Sequence, residues 1–139
     1  MWPEFLHHIT LHFPIVLTLV LAATATFAPH EDNQDVLQLL RYGGLFTLGV
    51  TVITAASGLV AAGFSGGDST LEHHRYLGIL ATLTIALAAL SVEIGCRTEN
   101  KDLRSFGLLT WWAAALATVG AAHWGSWAEH PEIIPFLGH

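Results

Sequence analysis

Residues 105–128 read SFGLLTWWAAALATVGAAHWGSWA and contain no charged side chain. A helix that crosses a bilayer needs about 20 apolar residues, so this run is long enough to span a membrane. Three further charge-free runs precede it, at 5–29, 42–67 and 76–92. The four runs together predict an all-α protein that crosses the membrane four times.

The composition of the whole chain agrees with a membrane protein. Hydrophobic residues make up 53% of the sequence and charged residues only 12%, whereas a soluble domain carries about 25% charged residues. The 139 residues suit one domain, which we assign to 1–139. The net charge of −6 argues against a nucleic-acid partner, because few cations are present to neutralise phosphates. Membrane lipids are the expected surroundings.

The connections between the runs are short. We predict helices at about 5–28, 36–63, 70–96 and 103–127, with a capping box at 69–72 opening the third. Short connections dictate an antiparallel, up-down-up-down four-helix bundle with both termini on the same side. The first run is expected to be a helix of the bundle, because a signal peptide carries basic residues before its apolar segment, and here only Glu4 is charged.

The basic residues indicate the orientation. Four of them flank the ends of the helices opposite the termini, namely Arg41, Arg97, Lys101 and Arg104. Only Arg75 lies at the other end. Basic residues favour the cytoplasmic side, so we predict a multi-pass protein of the bacterial inner membrane with its termini in the periplasm. Glu93 and Arg97 are spaced to pair at a solvated helix end, without a functional role.

The histidines lie almost entirely at the predicted periplasmic end. That end carries His7, His8, His12, His73, His74, His123, His130 and His139, and only His30 lies at the other. Imidazoles at membrane depth are costly and usually bind a metal, a haem or protons. The single cysteine, Cys96, excludes a covalently attached c-type haem and a cysteine zinc site. Any haem is therefore expected to be non-covalent haem b.

Helices 1 and 3 lie diagonally across an up-down-up-down bundle, so one imidazole from each can meet a haem between them. We predict His12 and His74 as the axial iron ligands. Pro14 cannot bond the carbonyl of Thr10, and the resulting kink is expected to aim His12 inward. Gly78, one turn after His74, leaves room beside that ring.

Other residues at this end have supporting roles in the prediction. His123 is the alternative ligand, a propionate partner or a proton-transfer group, and Arg75 is a propionate partner or a lipid anchor. Small residues at 55–63 and 113–122 leave a slot for a macrocycle or simply allow close helix packing. Trp111 and Trp112 lie deeper than the other tryptophans and are expected to face lipid or a partner.

Several short motifs resemble a bacterial four-helix membrane domain of unknown function that occurs fused to cytochrome-c-like modules. Residues 12–14, HFP, open that domain, residues 74–78, HRYLG, are similar to its HRWLG stretch, and residues 122–130, AHWGSWAEH, are similar to its GHxGGSLTHG stretch. The resemblance implies that His12, His74, His123 and His130 are the family's histidines and that redox work occurs at the periplasmic face. Ser126 and Pro131 depart from the pattern, which leaves the role of His130 open.

These features favour a membrane electron-transfer subunit with one haem b, and four histidines leave a second haem open. Its partners would be other membrane subunits and a cytochrome c or a quinone. One alternative is a histidine site for copper or zinc. The other is a structural or assembly subunit of a respiratory or photosynthetic complex. The sequence holds no nucleophile or phosphate-binding motif, so we do not expect the chain to be catalytic on its own.

Overall fold

A computed structural model describes residues 2–27, 34–62 and 69–129, with side chains at 9–27, 34–61 and 72–126. The described residues form four long helices and no strand. Helix α1 is Trp2–Phe27, α3 is Ser69–Arg97 and α4 is Lys101–Glu129. Helix α2 consists of Gln34–Gln38, a π-helical turn Leu39–Gly43, and Gly44–Ala62.

All four helices are long and apolar enough to cross a membrane. The prediction of an all-α bundle with four spanning helices is therefore confirmed. Around the bundle, α1 packs on α2 and α4, and α3 packs on α2 and most extensively on α4. Helices α1 and α3 thus lie diagonally opposite each other, as the short connections predict.

Helices α3 and α4 form a tight hairpin. The Thr98 N–H donates to the Ile94 carbonyl at 2.9 Å, which closes α3. Glu99 then adopts a left-handed conformation, with φ 54°. Asn100 caps α4 in the ordinary way, since its side-chain oxygen accepts the Leu103 N–H at 3.0 Å. This turn reverses the chain within three residues and sets α4 directly against α3.

Two glycines allow the backbones of α3 and α4 to touch. A Cβ atom built on Gly95 would lie 2.6 Å from the Arg104 nitrogen, and one built on Gly107 would lie 2.8 Å from the Val92 nitrogen. Small residues at membrane helix interfaces permit this kind of approach. The α3–α4 pair is consequently the most closely packed part of the bundle.

The core consists mostly of small side chains, with a few large ones among them. Its largest fully buried members include Trp111, Leu40, Ile85 and Val92, and alanines fill much of the rest. The prediction that Trp111 faces outward is wrong, because Trp111 is fully buried beside Gly44 of α2, whereas the neighbouring Trp112 is exposed. Large apolar side chains cover the outside, and a surface of this kind is compatible with contact to membrane lipid.

A group of three charged residues joins α2 to α3 at the end of the bundle opposite the histidines. Arg41, within the π-helical turn, donates to Glu93 through Nε at 2.8 Å and Nη2 at 3.3 Å. Arg97 also donates to Glu93, which is only 6% exposed. The predicted Glu93–Arg97 pair is present, but it is neither fully solvated nor confined to one helix. This group of three charges connects α2 to the α3–α4 hairpin.

Candidate histidine site and the cavity beneath it

His74 is held against the end of α4. Its Nδ1 lies 2.8 Å from the carbonyl oxygen of Ala121. A carbonyl only accepts hydrogen bonds, so Nδ1 must carry the hydrogen, and in the neutral ring the lone pair is then on Nε2. The ring also lies close to Gly125, where a Cβ atom would be 2.8 Å from Cε1 and 2.9 Å from Nδ1. Ala121 and Gly125 together fix the tautomer and the position of the imidazole.

This arrangement is the one that metal-ligating histidines commonly use. Such a histidine donates one ring N–H to a carbonyl or carboxylate, which orients the other nitrogen toward the metal. A half-buried histidine without a metal can make the same bond for its own satisfaction. Among the predicted ligands, His74 therefore has the geometry that suits coordination. Its partner Gly125 was noticed in the sequence only as part of the motif at 122–130.

We expect Gly125→Ala to displace the His74 ring and break its bond to Ala121. The added methyl group would overlap Cε1 and Nδ1, and a single hydrogen bond of this kind contributes about 1 kcal/mol. Nitrogen NMR of the imidazole would report a change from the Nδ1–H form to a mixture of tautomers. Gly120→Ala is the matched control, because its Cβ would make only an ordinary contact, 3.8 Å from Leu77. An unchanged His74 spectrum in Gly125→Ala would contradict this view.

A second set of rings lies at the same end of α3 and α4. His73 stacks on Trp124, with centroids 5.2 Å apart and planes 22° apart. His123 meets the same indole edge-on, with centroids 6.3 Å apart. Both histidines are exposed. Trp124 thus links neighbouring histidines of α3 and α4 and helps to close this end of the hairpin.

The structure places the other predicted residues less centrally. His12 is exposed, and the residues of α1 that line the cavity described below are Leu11, Pro14 and Ile15. Pro14 itself, rather than His12, therefore points inward, and α1 continues as a helix through it. Arg75 is exposed, with its guanidinium 5.7 Å from the centroid of the Tyr76 ring.

None of the remaining histidines of the cluster has a side chain among those that the structure describes. His130 and His139 lie outside the described residues, as does His30, and the side chains of His7 and His8 are likewise outside them. Among the described side chains, no three of His, Cys, Asp and Glu come together as a possible metal site.

A partly open cavity of about 60 Å³ lies among the four helices on the histidine side. All four helices line it, through Leu11, Pro14, Ile15, Thr51, Thr54, Ala55, Gly78, Ala81, Thr82, Ile85, Thr118, Ala121 and Ala122. Gly78 follows His74 by one turn, and a Cβ atom built on it would meet nothing within 4 Å. The space expected beside His74 is thus present, at the depth expected from the small residues of α2 and α4.

This cavity is too small for a macrocycle. Pockets that hold drug-sized ligands measure about 300–1,000 Å³, several times the volume found here. The nitrogen donors at this end suit haem iron, whereas the cavity among the helices does not accommodate a porphyrin.

Comparison with known proteins gives no significant match to a protein family, to a curated protein or to a solved structure.

Proposed function

We propose that this chain is a membrane electron-transfer subunit that binds haem b at its histidine end. His12 and His74 would be the axial ligands, with His123 as the alternative second ligand. The bound haem would supply a one-electron couple between ferric and ferrous iron. The partners would be other membrane subunits and a cytochrome c or a quinone, at the periplasmic face of a bacterial inner membrane.

The observation that carries this proposal is the geometry of His74. Its Nδ1–H bond to Ala121 and its contact with Gly125 hold an imidazole whose other nitrogen bears the lone pair that iron requires. Helices α1 and α3 face each other across the bundle, so His12 belongs to the helix opposite. The rest of the chain would supply anchorage, because its exposed apolar surface suits lipid.

The other residues at this end would have supporting roles. Arg75 is the single Lys or Arg at the histidine end, and it would neutralise a haem propionate or a lipid phosphate. The stacked rings of His73 and Trp124 would keep water away from one side of His74. His130 would be a further candidate for the site, as the motif resemblance implies.

The haem content of the purified chain tests this proposal. Protein isolated from haem-replete membranes, in mild detergent, should give a b-type pyridine haemochrome with at least one haem per chain. Its dithionite-reduced minus oxidised spectrum should show sharp α and Soret bands, as expected for six-coordinate low-spin iron. Folded, monodisperse protein that contains no haem, and takes up none when haemin is added, would refute the proposal.

A structural or assembly subunit is the second candidate, and the cavity volume favours it. A bundle with a cavity of only about 60 Å³ and a tightly packed α3–α4 hairpin offers little space for a cofactor between its helices. If the spectra are featureless, metal analysis of the same sample separates the remaining possibilities. Stoichiometric copper or zinc would indicate a histidine metal site, and the absence of both would indicate a purely structural subunit.

A further inference from the structure

The cavity beneath His74 is almost entirely apolar. Its lining surface is mostly carbon, from alanine, leucine, isoleucine and proline side chains. Four threonines also line the cavity, but each donates its hydroxyl hydrogen to a backbone carbonyl of its own helix. Thr51 donates to Thr47, Thr54 to Val50, Thr82 to Gly78 and Thr118 to Ala114, at 2.7–3.0 Å. The threonines therefore present mainly methyl groups to the space.

Such a lining does not favour water. A buried water molecule makes about three hydrogen bonds, and cavities lined by apolar side chains remain dry. Thr18 has a buried hydroxyl without a hydrogen-bond partner, but it lies one turn deeper than Pro14 and is not part of the lining. The threonine oxygens can still accept hydrogen bonds, but very little of the lining is polar, so a water molecule in the cavity would leave most of its hydrogen bonds unmade.

The size of the cavity restricts its occupant further. A dry apolar cavity of about 150 Å³ can bind benzene or xenon, and the volume of about 60 Å³ found here is less than half of that. A quinone ring or a drug-sized molecule needs a pocket of about 300 Å³ or more. The lining residues lie within helices that are apolar enough to cross a membrane, and the surrounding hydrocarbon would itself be a source of apolar solutes.

From this volume, lining and position we propose that the cavity is a binding site for one small apolar gas molecule of the size of dioxygen or xenon. The site is bounded by all four helices and lies one helical turn below His74. It is separate from the proposed haem site, because it requires neither His12 nor His74 as a ligand. Gas binding can consequently be tested on protein with or without haem.

Xenon is a suitable probe for the test. The chain, with labelled methyl groups, would be studied by NMR in deuterated detergent under increasing xenon pressure. Methyl signals of Ile85 and Ala121, which line the cavity, should shift along a saturating curve. The methyl signals of Leu109, 73% exposed on the outside of α4, should shift only linearly, since they sense xenon dissolved in the micelle.

Two glycine variants test whether the saturating xenon shift arises from the cavity. Gly78→Val should fill the cavity and abolish the saturating shift. Gly49→Val should retain it, because Gly49 is also helical with nothing within 4 Å of its Cβ position but does not line the cavity. If Gly78→Val does not fold, Ala122→Val is used in its place. Linear shifts at Ile85 and Ala121 in the unmodified chain, or a saturating shift that persists in the filled variant, would overturn the proposal.

Discussion

Replacing Glu93 with methionine is expected to lower the free energy of unfolding by about 3 kcal/mol, near the lower end of the range for breaking a buried ion pair. Glu93 is 6% exposed and accepts hydrogen bonds from Arg41 and Arg97. The Arg41 side chain is 25% exposed, so after the substitution it keeps its charge with little solvent to compensate. Arg97 is 70% exposed and would be solvated. Most of the loss should thus come from Arg41.

The double variant Glu93→Met with Arg41→Met should recover most of this loss. Replacing both members of a buried ion pair by apolar residues is often neutral, whereas removing one leaves an uncompensated charge. Denaturant-induced unfolding in a fixed detergent would give the four free energies of the double-mutant cycle. Glu99→Met is the control, because Glu99 is an exposed acid at the same end of the bundle. A single-variant loss below about 1 kcal/mol, or a double variant as unstable as the single one, would contradict this interpretation.

Gly95→Ala is expected to destabilise the α3–α4 hairpin by about 1–3 kcal/mol, the usual cost of overpacking. The new methyl group would lie 2.6 Å from the Arg104 nitrogen and 2.9 Å from the Arg104 Cα. These are backbone atoms of a helix, so the contact can be relieved only by moving α4 away from α3. Gly107→Ala should have a similar effect, because its Cβ would lie 2.8 Å from the Val92 nitrogen.

Thermal unfolding followed by circular dichroism would measure this effect. Gly49→Ala provides the control, since a methyl group there meets nothing within 4 Å and alanine has the higher helix propensity. We expect a lower Tm for Gly95→Ala and Gly107→Ala, and an unchanged or higher Tm for Gly49→Ala. Equal Tm values for all three variants would mean that the backbones of α3 and α4 are not in direct contact.

The four spans were predictable because their signal is a property of long segments. Runs without charge such as 105–128 are rare in soluble proteins, and the short connections leave little choice of topology. The diagonal placement of α1 and α3 follows from the same reasoning. A spanning helix is recognised from the apolar character of about 20 consecutive residues taken together. A single unusual residue such as Pro14 therefore does not change the prediction of a span.

Contacts between helices were harder to predict, since they depend on rotation of each helix about its axis. Arg41 was used only as an indicator of orientation, yet it crosses to α3 to bind Glu93. The π-helical turn at 39–43 changes the helical phase around Arg41, and no proline marks it in the sequence. The burial of Trp111 beside an exposed Trp112 likewise depends on helix rotation.

The candidate site was predictable in position but not in detail. The depth of His74 and the open space beside Gly78 followed from the order of the helices. The hydrogen bond from His74 to Ala121 could not be predicted, because every residue has a backbone carbonyl and the sequence does not indicate which carbonyl accepts the bond. The exposure of His12 also differs from the inward direction inferred from Pro14.

The most direct test of the proposed haem site compares two neighbouring histidines. Reduced minus oxidised spectra would be recorded for His74→Ala and His73→Ala, prepared identically and shown to be folded. We predict that His74→Ala loses the b-type α band, while His73→Ala, whose ring stacks on Trp124, retains it. Equal haem spectra in both variants, or no haem in the unmodified chain, would contradict the assignment of His74 as an iron ligand.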